Sequence, residues 1–123
     1  MVTTWAKSDG KWYYFDPDGK MLANAWHFTS PYWYYLKSDG SMATGWQQVG
    51  TEWFYLRPWD NYHTTGPIGS MMTGWIPVGQ YWYYARKTTN EIKTGPQGAI
   101  LVGGTYTIGG VKYKFDANGR WIP

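Results

Sequence analysis

The chain has 123 residues, no cysteine and a formal net charge of +3 from 11 basic and 8 acidic residues. The lack of cysteine excludes disulfides and thiolate metal sites, and Lys and Arg, scattered singly except at Arg86-Lys87, form no basic run of the kind that grips nucleic acid. Aromatics supply 21% of the residues, with 10 Trp and 12 Tyr, against 15% charged, so rings must do the packing that aliphatic side chains usually do. No apolar run reaches the length of a membrane span, which argues against membrane insertion, and the N-terminus lacks a charged segment followed by an apolar one. Met1 reads as an expression start on an excised module.

Along the chain, aromatic pairs recur at one separation of seven residues: Trp5/Trp12, Trp26/Trp33, Trp46/Trp53, Trp75/Trp82 and a weakened Tyr106/Tyr113. They divide it into units of about 5–25, 26–45, 46–74, 75–104 and 105–123, a tandem array whose neighbours must bury each other's faces. Each of the first four units opens on a Trp, turns, and continues into a Trp-aromatic-Tyr strand such as Trp12-Tyr13-Tyr14-Phe15. Aromatic and β-branched residues favour strands, and Asp9-Gly10, Asp18-Gly19, Asp39-Gly40 and Asn118-Gly119 are turn signals, so hairpins are expected and helices are not.

A two-residue turn at Asp9-Gly10 sets Ser8 opposite Lys11, Lys7 opposite Trp12 and Trp5 opposite Tyr14. Side chains alternate along a strand, so Trp5, Trp12 and Tyr14 share one face, and Tyr13, like Tyr34, Phe54 and Tyr83, points to the inward one. The second hairpin has Pro31 and no Gly, and must turn differently. The third and fourth units carry polar inserts at 57–68 and 87–97, read as extended loops on one edge of the stack; Trp59 or Tyr62 is expected to cover a neighbouring hairpin, the alternative being that it lines an extra pocket or protein contact.

Catalysis finds no support. His27 and His63 lie in different units without a nucleophile motif, and Asp9, Asp18 and Asp39 sit in Asp-Gly turns, where the side chain has a local structural task. Paired carboxylates for sugar hydrolysis would need two such turns to converge in a cleft. No catalytic residue, metal ligand or cofactor is therefore assigned.

Two segments carry a resemblance: Trp12-Tyr13-Tyr14-Phe15-Asp16-Pro17-Asp18-Gly19-Lys20-Met21, and Trp33-Tyr34-Tyr35-Leu36-Lys37-Ser38-Asp39-Gly40-Ser41-Met42-Ala43-Thr44-Gly45-Trp46. In-phase copies of this pattern resemble the choline-binding (cell-wall-binding) repeats of surface proteins from pneumococci, related bacteria and their phages, over nearly the whole chain. The resemblance implies an all-β repeat solenoid of stacked β-hairpins that holds choline between successive hairpins. Ring faces suit a quaternary ammonium, which has no N–H to donate. By carry-over, the Trp pair of each unit meets the Tyr two positions after the second Trp of the next. The expected cages are Trp5, Trp12 and Tyr35; Trp26, Trp33 and Tyr55; Trp46, Trp53 and Tyr84; and Trp75 and Trp82 with Phe115. Met21, Met42 and Met71 or Met72 close their floors. The last unit is expected to cap the array.

The implied partner is choline-decorated teichoic or lipoteichoic acid, on the cell wall of a bacterium that secretes the protein. A hydrolase elsewhere in the parent chain is compatible with this, as is a homodimer through the exposed terminal strand. The competing ligand class is glucan or another carbohydrate, with rings stacked on sugar faces; a third is protein contact.

Overall fold

The computed structural model describes residues 5–123; the reading of Met1 lies outside them. The regular elements among these residues are eleven strands, in chain order β1 (Trp5–Ser8), β2 (Lys11–Tyr14), β3 (Ala25–Thr29), β4 (Tyr32–Leu36), β5 (Gly45–Val49), β6 (Glu52–Leu56), β7 (Gly74–Val78), β8 (Tyr81–Ala85), β9 (Gly104–Ile108), β10 (Val111–Phe115) and β11 (Trp121–Ile122). Successive strands pair as hairpins, and β11 adds to the free side of β10. The fold is all-β, a run of antiparallel hairpins, as the repeats predict. Among the described residues no helix is long and apolar enough to cross a membrane.

Turn chemistry sets the registers. Asp9 and Gly10 both take positive φ, +52° and +77°, the signature of the tight hairpin turn whose twist matches its strands. The first hairpin pairs Trp5 with Tyr14, Lys7 with Trp12 and Ser8 with Lys11, the parity expected. The second turns through Ser30-Pro31, whose peptide bond is cis, and pairs Trp26 with Tyr35 and Phe28 with Trp33.

Each hairpin is followed by a returning strap. The chain makes a tight turn and re-enters through a bridge: Phe15 with Met21, Leu36 with Met42, Leu56 with Met71, Ala85 with Ile100. The bridge residue also reaches backward. Met42 N–H donates to the Trp12 carbonyl (2.8 Å), Met71 N–H to that of Trp33 (2.8 Å) and Ile100 N–H to that of Trp53 (2.9 Å). The straps at Met42 and Ile100 thus tie the preceding hairpin to the one they follow. The turn glycines leave room for it: Gly40 has φ +88°, and a Cβ there would lie 2.7 Å from Met21 Cε.

Two compact units form, one from the described part of Met1–Gly45 with Leu56–Met71, the other from Trp46–Tyr55 with Met72–Pro123. The first buries Leu36, Ala43 and Leu56. In the second, Tyr84, Leu101 and Phe115 form a core against which Trp75, Tyr113 and Trp121 pack.

The two inserts are one loop used twice. Arg57 and Arg86 fold back beneath their loops and are only 4% and 3% exposed. The Arg57 guanidinium donates to the Tyr62 carbonyl, to Ser70 Oγ and to Thr64 Oγ1. That of Arg86 donates to the carbonyls of Lys93, Thr94 and Ala99. Asn61 and Asn90, both at positive φ, donate their backbone N–H to the carbonyls of Gly66 and Gly95 (2.6 Å each) and accept those glycines' N–H on Oδ1 (3.0 Å each). Gly66 and Gly95 lie against the guanidinium groups, where a Cβ would collide. Trp59 is 60% exposed and meets Tyr62 edge-on at 4.9 Å within its own loop.

Candidate functional site

In the first unit, β1–β2 turn the face carrying Trp5, Trp12 and Tyr14 toward the opposite face of β3–β4, where His27 and Tyr34 are cross-strand partners. Trp5 meets Tyr34 edge-on (5.1 Å, 64°) and His27 at 6.1 Å, and Tyr14 stacks on His27 (3.8 Å, 26°). The strap brings Met42 alongside. Trp5, Trp12, Tyr34 and Met42 line a cavity of about 490 Å³, walled further by Lys7, Asp60 and Ile68.

The second unit repeats the contact twice. Trp46 meets Tyr83 at 4.7 Å and 70°, and Trp53 at 6.4 Å and 84°. These rings, with Val102, Asn118 and Arg120, line a cavity of about 310 Å³. Trp75 meets Tyr113 at 4.8 Å and 69°, and Trp121 lies 6.3 Å from Trp75 and 6.0 Å from Tyr113. Rings meeting edge-on make a corner instead of a closed stack, and the corner offers π-faces to a cation that cannot hydrogen-bond.

Charge and burial tune these corners. Burial holds His27 below the usual imidazole pKa. Burial raises the Tyr34 pKa, reinforced by Tyr32 and opposed by Arg57. Lys7 Nζ stands 5.7 Å from the Trp12 ring, and the Arg120 guanidinium 4.5 Å from that of Tyr81.

The family model of the cell wall binding repeat matches residues 3–21, 24–42 and 44–59. Among solved structures, CbpJ from Streptococcus pneumoniae TIGR4 is 34% identical over 98% of this chain and 42% of its own, with a TM-score of 0.59. Choline binding protein F from Streptococcus pneumoniae, solved in the presence of a peptidoglycan analogue, is 29% identical over 99% and 47%, TM-score 0.58. The multimodular pneumococcal cell wall endolysin from phage Cp-1, solved with choline, is 35% identical over 98% and 30%, TM-score 0.58. The chain belongs to the cell-wall-binding, or choline-binding, repeat family. It spans less than half the length of each of these three relatives. Comparison with curated proteins finds no match.

Within this choline-binding repeat array, the residues expected to form cages are distributed differently in one systematic respect. The Tyr two positions after the second Trp supports its own hairpin. Tyr14, Tyr35, Tyr55 and Tyr84 pack edge-on against Trp5, Trp26, Trp46 and Trp75 at 5.3, 4.9, 4.9 and 5.3 Å. The ring that meets a preceding Trp is the Tyr one position earlier: Tyr34 at Trp5 in place of Tyr35, and Tyr83 at Trp46 in place of Tyr84, which lies in the core. The reason is parity. Within each unit the hairpins stack front to back, so the completing ring must come from the face opposite the Trp pair. Of the second expected set, Trp26 and Trp33 belong to the first unit and Tyr55 to the second.

The methionines shift likewise. Met42 lines the Trp5 cavity where Met21 was expected; Met21 lies against Gly40. Of Met71 or Met72, expected beneath Trp46 and Trp53, Met71 belongs to the first unit and donates its N–H to the Trp33 carbonyl, and Met72, buried in the second, donates its N–H to the Tyr55 carbonyl, while Val102 walls the Trp46 cavity. At Trp75, Phe115 is in contact (5.8 Å) but as a core residue, and Tyr113 and Trp121 complete the corner. Trp82 pairs across the strand with Pro77.

The last hairpin is one residue out of phase with the others. In β7–β8 the Trp75 position faces Tyr84, and its counterpart in β9–β10 is Thr105 facing Lys114. Tyr106 and Tyr113 therefore occupy the places of Ile76 and Tyr83, although their spacing matches a Trp pair. The outward face carries Thr105, Thr107, Lys112 and Lys114, all exposed, the polar face required of a terminal repeat.

Proposed function

We propose that this chain is a non-catalytic wall-anchoring module that binds the choline groups of teichoic or lipoteichoic acid on the surface of the bacterium to which it is secreted. The supporting observation is the edge-on Trp–Tyr corner at Trp5/Tyr34, Trp46/Tyr83 and Trp75/Tyr113, repeated within narrow limits of 4.7–5.1 Å and 64–70°. Conserved corner geometry on changing neighbours is what a repeated small ligand requires. Trp12, Trp53 and Trp82 supply the second indole of each cage, and Trp26 and Trp33 are assigned the same role in their unit. Each cage binds choline weakly, at roughly millimolar Kd or about −4 kcal/mol, through contacts worth ~0.5–2 kcal/mol each.

Titration of intrinsic Trp fluorescence with choline chloride, against sodium and ammonium chloride at equal ionic strength, tests this. A saturable, choline-specific change in the millimolar range is expected, with Y34A weakening it and Y13F leaving it intact. Absence of any change beyond the salt controls would reject the cages and leave the rings as sugar platforms or core.

A further inference from the structure

A cage for a bare cation has no use for Arg120. The two described cavities present similar rings but opposite electrostatics. The Trp5 cavity is walled by both Lys7 and Asp60, whose charges offset each other. Arg120 is the sole charged residue among those lining the Trp46 cavity. A hydrogen bond with Tyr83 raises the guanidinium pKa, with Tyr81, Tyr83 and Asp116 adding to the effect, so the group stays charged. Asp116 itself is engaged in the turn, its Oδ1 accepting the backbone N–H groups of Asn118 and Arg120 (2.9 Å each). Arg120 Nε is buried without a hydrogen-bond partner.

A quaternary ammonium entering this cavity alone meets a like charge. A ligand that carries an anionic phosphate beside its ammonium reverses the balance: the methyl groups lie on Trp46 and Trp53 while the guanidinium fork donates to phosphate oxygens. A volume of about 310 Å³ is within the range of small-ligand sites. Resting on the choline assignment of the cages, we propose that the Trp46–Trp53–Tyr83 cavity selects phosphocholine over choline through Arg120, whereas the Trp5–Trp12–Tyr34 cavity, with Asp60 offsetting Lys7, binds the ammonium with little regard for the phosphate. One chain then holds two specificities on a single ring scaffold.

Site-resolved titration decides the matter. The indole N–H NMR signals of Trp5, Trp12, Trp46 and Trp53 are followed against choline and against phosphocholine at equal ionic strength, in the full chain and in R120Q and R120K. At Trp46 and Trp53, phosphocholine should half-saturate at roughly threefold to fivefold lower concentration than choline, the gain of a solvent-open ion pair. At Trp5 and Trp12 the two ligands should be nearly equal. R120Q should abolish the preference and R120K retain it, with native Trp75 and Trp121 signals reporting that the unit is folded. Equal affinities at Trp46 and Trp53 in the unaltered chain, or a preference that survives R120Q, would overturn the role of Arg120 while leaving choline binding intact. Signals unmoved by either ligand would overturn both.

Discussion

His27 joins the first cage to the chemistry of protons. It lies stacked on Tyr14 and edge-on to Trp5, and burial lowers its pKa below 6.5. Around that pH the unfolded chain binds more protons than the folded one, so the stability contributed by neutral His27 is present at neutral pH and declines as pH falls through about 6.5 toward the depressed folded value. Asp39 does not blur this window, because Ser41 hydrogen bonds hold its carboxyl below the usual carboxylate range. The melting temperature and the choline affinity at Trp5 should both fall from about pH 7 to about pH 5, and H27Q should flatten that stretch of the profile. Thermal melts and the Trp5 indole signal across a pH series check it; a wild-type profile already flat there would contradict the packing assigned to His27. The same neighbourhood marks how far sequence parity carries. Asp9-Gly10 put Trp5, Trp12 and Tyr14 on one face, and the register agrees. The stacking direction is tertiary, and it decides between Tyr34 and Tyr35; applying parity to the facing hairpin would have pointed to Tyr34.

Among the elements, the duplicated insert supplies its own internal control. Arg57, Asn61 and Gly66-Pro67 recur at identical spacing as Arg86, Asn90 and Gly95-Pro96, a signal available in the sequence but obscured when the inserts are read as polar loops of unequal bounds. Counting back from the bridge residues Met71 and Ile100 aligns them. Thr88 occupies the place of Trp59 in a loop that folds the same way, so the Trp59 ring is not needed for folding. W59A should change stability by no more than about 0.5 kcal/mol, whereas R57A, which removes a buried group and its several loop partners, should cost about 2–4 kcal/mol in chemical denaturation. The last hairpin teaches a related point. Its seven-residue Tyr spacing is legible, but phase is fixed by pairing of β10 with β9 and β11, which spacing alone does not encode.

For the molecule as a whole, weak cages become useful through number. A polymer bearing many choline groups engages several corners of one chain, so each further contact is intramolecular. Half-saturation by such a polymer should come at a choline-unit concentration at least about tenfold below that of free choline, measured by competition. Added salt should weaken free-choline binding only modestly, since ring contacts carry it, while screening whatever the net charge of +3 gains from the polymer's phosphates. The straps add a different consequence, one of order in time. The Trp12 carbonyl waits for Met42, that of Trp33 for Met71, and that of Trp53 for Ile100. On the ribosome, where the chain emerges from its N-terminus, a hairpin is locked only after the following hairpin and its strap have been made. Assembly then runs one repeat behind synthesis, and a stalled or truncated chain ends in a hairpin that has formed but has not been fastened.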